Sequence, residues 1–69
     1  MLLTAKEIAR RTNTPVRTVE ARLARERRRG ARVVRVPHGG RGQPPWGMYA
    51  EDYARRIGVD LETLAAGAP

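Results

Sequence analysis

Apolar residues recur every three to four positions from Leu3 to Leu23, alternate around Val34, and return to the helical interval from Ala50 onward. A period that passes from 3.6 to 2 and back predicts helices flanking a short β segment. The first helix opens at Thr4-Ala5-Lys6-Glu7, which fits a capping box, with the Thr4 hydroxyl on the Glu7 amide and the Glu7 carboxylate reaching back. Leu3 and Ile8 stand at the positions of a hydrophobic staple. Ala5, Ile8 and Ala9 form a narrow inward face, Lys6, Arg10 and Arg11 are expected outside, and Thr12-Asn13-Thr14-Pro15 ends the helix.

The second helix is expected at once. Thr14 suits an N-cap and Pro15 the first helical position, which leaves only about two or three residues between the helices, as in a helix-turn-helix. Val16, Val19 and Leu23 are expected to face the core. The opposite face of the wheel then holds Arg17, Thr18, Ala21, Arg22, Arg25, Arg28 and Arg29. From residue 15 to 29 such a helix is about 22 Å long, and Gly30 is the expected left-handed stop.

Arg32 to Val36 is β-branched and reads as a strand with Val34 and Val36 inward, while Trp46 to Tyr49 is the expected returning strand. Between them, residues 37–45 are too rich in glycine and proline for regular structure. The loop reads either as the tip of a wing, with Gly39 and Gly40 allowing close approach to a backbone and His38, Arg41 and Gln43 donating to it, or as a loop without a role. Ala50, Tyr53, Ala54 and Ile57 predict a third helix ended by Gly58. Asp60 caps a last turn carrying Leu61 and Leu64, and residues 67–69 read as a frayed tail after a single domain over 1–66.

Charge changes this picture more than composition does. Of 69 residues, 14 are basic and 7 acidic, a net charge of +7. Residues 1–45 carry twelve basic and three acidic side chains, whereas residues 46–69 carry two and four, so the field is concentrated on the first two thirds. Such a field attracts polyanions, with counterion release supplying affinity for phosphates. Thirteen of the cations are arginine. That bias suits bidentate contacts to phosphate and guanine, and it equally fits a GC-rich genome or thermophilic source.

Other chemistries find little support. There is no Cys or Ser and only one His, and a chain this short has little volume for a pocket, so no enzyme, metal or cofactor is expected. No apolar run approaches the ~20 residues of a membrane span and the N-terminus lacks a secretory layout, so the expected location is the cytoplasm. Several residues keep two readings. Arg27 to Arg29 serve either a groove or the helix dipole; His38 is a phosphate contact or a plain turn residue; Trp46, Tyr49 and Tyr53 are core rings or a stacking platform.

The stretch TAKEIARRTNTPVRTVEARLARERRRG resembles the helix-turn-helix of DeoR-type winged-helix repressors, in which a Thr-Val or Thr-Ile pair opens the recognition helix, a Leu follows and a Gly closes it. Arg35-Val36 and His38-Gly39-Gly40 resemble that family's wing, with Pro37 inserted. The order helix, turn, helix, wing, helix is similar to small MerR-like and excisionase-like domains and to the N-terminal DNA-binding domains of phage Mu repressor and transposase. The resemblance implies an α+β, mainly α, winged helix-turn-helix that binds specific double-stranded DNA, as a transcription regulator or excisionase-like factor of a phage or mobile element. No small-molecule effector is expected.

In that frame the recognition helix spans 15–29 and the wing 37–45. Arg17, Thr18, Ala21 and Arg22 are expected at base edges. Lys6, Thr14, Arg25, Arg29, His38, Gly39, Gly40, Arg41 and Gln43 are expected on the backbone. A single module buries only about 600 to 1,000 Å² on DNA, which calls for homodimers or cooperative arrays. A competing expectation is a basic module that binds an acidic protein such as polymerase or a recombinase; RNA is a third, without an aromatic-rich reading motif.

Overall fold

Thr4 closes one element and caps the next, and from that junction the fold is organised. In the computed structural model, which describes residues 1–37, 40 and 42–65, β1 (Leu2–Thr4) leads directly into α1 (Ala5–Arg11). The expected capping box is present: the Glu7 amide donates to Thr4 Oγ1 (3.2 Å) and the Thr4 amide to Glu7 Oε1 (3.1 Å). β1 carries no strand signal of its own in the sequence. It exists because it pairs antiparallel with β3 (Trp46–Tyr49), Leu3 opposite Met48, and both of these side chains are buried.

α1 ends with Asn13 left-handed (φ 52°); Thr14 N–H donates to the Ala9 carbonyl (2.9 Å) and Asn13 N–H to that of Arg10 (3.4 Å). Four residues, 12–15, separate α1 from α2 (Val16–Arg28), more than expected, because Pro15 rather than Thr14 stands at the N-cap. The Thr14 hydroxyl is occupied within the turn, donating to the Thr12 carbonyl (3.1 Å). α2 stops as expected: Gly30 is left-handed (φ 90°), and Ala31 N–H reaches the Glu26 carbonyl (2.9 Å) while Gly30 N–H reaches that of Arg27 (3.1 Å).

β2 (Val33–Arg35) is shorter than expected and pairs antiparallel with β3, giving a three-stranded sheet in the order β1-β3-β2. Its inner residue is Val33, not Val34 or Val36. The partner fixes the parity, since Val33 sits opposite the fully buried Met48 and packs against the core. In the central strand, a Cβ on Gly47 would lie 2.4 Å from Val36 Cγ2 and 2.6 Å from the Leu3 carbonyl oxygen, so only glycine lets both edge strands close.

After β3, α3 (Ala50–Tyr53) runs into a π-helical turn (Ala54–Gly58) instead of one continuous α-helix, and α4 (Leu61–Ala65) follows. Asp60 caps α4 as expected, accepting from the Glu62 amide (3.0 Å). Leu64 is buried, whereas Leu61 is exposed. The N-terminal ammonium lies 3.3 Å from Glu51 Oε1.

The core comprises Leu3, Ala5, Ile8, Ala9, Val19, Leu23, Met48, Ala50, Tyr53 and Leu64. One inward assignment on α2 does not hold. Val16 is 38% exposed, while Glu26, two turns after Val19, is 4% exposed on the core stripe. Arg11, expected outside, is half-buried and donates to the Leu64 carbonyl, tying α1 to α4. Of the aromatics, Tyr53 is fully buried and Trp46 is half-buried against the core; Tyr49 is half-buried beneath Arg32, 5.8 Å from the ring centre. Among the described residues the result is a small, mainly helical α+β fold of four α-helical segments and a three-stranded antiparallel sheet. Among the described residues, no helix is long and apolar enough to cross a membrane. His38, Gly39, Arg41 and the expected tail at 67–69 lie outside the described residues.

Candidate nucleic-acid interface

α2 presents four sides, about 20 Å long at 1.5 Å per residue. Val19, Leu23 and Glu26 face the core. Arg17, Ala21, Ala24, Arg25 and Arg28 are exposed and follow one outer stripe by helical spacing. Alanines at its middle keep the relief low between flanking guanidiniums, so a groove-shaped polyanion meets charge at the sides and little bulk at the centre.

On one flank the arginines are engaged by the protein. Arg22 is half-buried, not outward as the wheel suggested, and its Nη1 donates to the Tyr53 hydroxyl (3.3 Å). Thr18, one turn earlier, is half-buried as well. Glu26 is the hub of this flank. Its Oε1 accepts from Arg56 Nη1 (3.3 Å), joining α2 to the π-helical turn, and its Oε2 lies 3.6 Å from Arg25 Nε and 3.7 Å from Arg29 Nη1. A buried carboxylate needs such partners, because desolvating it alone costs several kcal/mol. Its position was legible on the wheel, at i+3 from Leu23.

The other flank faces the sheet and the loop. Val16, Glu20 and Arg27 lie there, and the Arg27 guanidinium stacks 4.4 Å from the centre of the Trp46 ring. Arg35 of β2, cross-strand from Trp46, stacks on the same ring at 3.9 Å and donates from Nη1 to the Pro44 carbonyl (2.7 Å). Sequence reasoning missed this cluster. The signal for half of it was the pairing of the two expected strands, which sets Arg35 beside Trp46.

Two open grooves border this flank. One of about 620 Å³ lies between α1 and the start of α2, with Lys6, Arg10, Thr14 and Val16 on its walls; the other, about 350 Å³, is lined by Lys6, Val16, Glu20, Arg35, Gln43 and Trp46 among others. The expected backbone-contacting residues Lys6, Thr14 and Gln43 are thereby gathered around Val16. Arg17, Ala21 and Arg25 share the outer stripe; Arg22 and Arg29 belong to the Tyr53 and Glu26 flank. Gly40 and Gln43 are exposed in the loop. No family model, curated protein or solved structure matches the chain.

Proposed function

We propose that the chain is a winged helix-turn-helix protein that binds specific double-stranded DNA in the cytoplasm, with α2 in the major groove and the 37–45 wing on adjacent backbone. The observation that carries this reading is the outer stripe of α2, cationic at Arg17, Arg25 and Arg28, low at Ala21 and Ala24, and without a core residue. Arg17 at the N-terminal end of α2 reaches base edges, with Thr18 and Ala21 beside it. Arg22 joins them only by leaving the Tyr53 hydroxyl. Lys6, Thr14, Arg25, Arg29 and the loop residues His38, Gly39, Gly40, Arg41 and Gln43 hold phosphates and sugars. A dimer or cooperative array on DNA supplies the occupancy a single small module lacks, and the biological setting is transcription regulation or excisionase-like architecture on a mobile element.

The test is the salt dependence of duplex binding. Neutralising about six phosphates predicts a slope of log K against log salt near −5. A slope near zero contradicts the reading. A second reading, a module docking an acidic protein, draws on the apolar lining of the smaller groove by Val16, Pro44, Pro45 and Trp46; it predicts no duplex preference of any kind.

A further inference from the structure

We propose that Arg27, Trp46 and Arg35 form a built clamp for a nucleic-acid phosphodiester, extending the interface from α2 to the base of the wing. The inference rests on the DNA-binding reading and adds to it a site outside both the outer stripe and the loop tip. Two full positive charges are held within 4.4 Å of one ring centre, at the distance of strong cation–π contacts. The two exposed guanidiniums repel each other only weakly, and a bound anion would turn that repulsion into attraction for both. Among the described residues, neither Arg27 nor Arg35 is ion-paired to a carboxylate, whereas across α2 a single carboxylate, Glu26, serves Arg25, Arg29 and Arg56.

The chemistry of the stack suits a phosphate. A guanidinium whose Cζ sits over a ring keeps N–H groups at its edge for donation to phosphate oxygens, and in Arg35 those beyond the one held by the Pro44 carbonyl remain for that use. Trp46 is half-buried against the core and Arg35 is tied to the Pro44 carbonyl, so the orientation of the site is set before a ligand arrives. Preorganised donors lose less entropy on binding. The adjoining groove of about 350 Å³ brings Lys6 and Gln43 to the same place, and Glu20 is the only carboxylate in its lining. Covering a half-buried indole needs no charge at all, and an aliphatic side chain would do so without repulsion.

Trp46 is the only tryptophan, so its emission reports this site alone. A labelled duplex is titrated with the full chain while anisotropy and Trp46 emission are recorded together. The clamp predicts an emission change that saturates at the same midpoint as anisotropy. Arg27→Gln and Arg35→Gln, which keep much of the stacking bulk, each weaken binding about tenfold and lower the salt slope by about 1; Glu20→Gln tightens it. Thermal melts followed by circular dichroism confirm that the variants fold. Binding by anisotropy with unchanged Trp46 emission and wild-type affinity in both arginine variants overturns the clamp and leaves the DNA reading intact. Absence of binding to any duplex overturns both, and an equal emission change with polyglutamate overturns the phosphodiester assignment.

Discussion

The two flanks of α2 carry the same residue type to opposite ends. Toward Tyr53, Arg22 holds a phenol and Arg25 and Arg29 converge with Arg56 on the buried Glu26. Toward the sheet, Arg27 and Arg35 meet on Trp46 and, among the described residues, neither is ion-paired to a carboxylate. Charge spent inside the fold stabilises it; charge assembled without a counter-ion raises the local potential and is available to an outside anion. The difference shows why an arginine count overstates a binding surface. Arg22, Arg25 and Arg29 are engaged by Tyr53 and Glu26, and Arg27, in a run that kept two readings, lies on the other flank.

If the two flanks differ as described, base readout should depend far more on Arg17 than on Arg22. Arg17→Ala should reduce discrimination between cognate and random duplex by about 1–3 kcal/mol, and Arg22→Ala by clearly less, because Arg22 is held by Tyr53; competitive binding titrations check the ranking. Equal losses would place Arg22 with the outer stripe. Next, Glu26→Gln should cost about 1–2 kcal/mol of stability, short of the cost for a wholly buried pair because Arg56, Arg25 and Arg29 retain solvent access. At about 4–8 °C per kcal/mol the drop is plain in a thermal melt, while duplex affinity is preserved or increased as Arg25 and Arg29 are released.

A smaller effect, about 0.5–1.5 kcal/mol, is expected for Tyr53→Phe, which removes the Arg22 hydrogen bond and keeps the ring. The same melt should show it, and no change would mean that the Arg22 contact is energetically idle. The smallest effect is acid-linked. Glu51 is held below the usual carboxylate range of about 4.5, first by a backbone hydrogen bond and then by the N-terminal ammonium. A lowered folded value gives stability that is present above the unfolded value and lost as pH falls through the folded one. The melting temperature of Glu51→Gln should therefore approach that of the wild-type protein as pH falls below about 4.5.

Much of this fold was legible because its signals are local. The Thr4–Glu7 capping box, the stop at Gly30, the strand pair around the loop and the Asp60 cap each depend on residues close in sequence. The errors arise where a distant partner decides. β1 is a strand only because β3 pairs with it, and the inward side of β2 follows Met48 rather than the hydrophobicity of Val34 and Val36. Glu26 takes a place on the core stripe of α2 because Arg56, thirty residues downstream, supplies the carboxylate with a charged donor, while Val16 is exposed at the start of the helix. The outer stripe of the candidate interface was readable from helical spacing. The Arg27–Trp46 stack was not, since nothing in either local segment connects α2 with β3.

If the exposed face of α2 reads duplex DNA, random-site selection on double-stranded DNA will reveal it. A sharp consensus is expected, bound at physiological salt about 10³-fold or more tighter than scrambled duplex, that degrades when Arg17 is replaced by Ala. A selected pool that stays random, with the chain indifferent to duplex sequence, would contradict that role for α2.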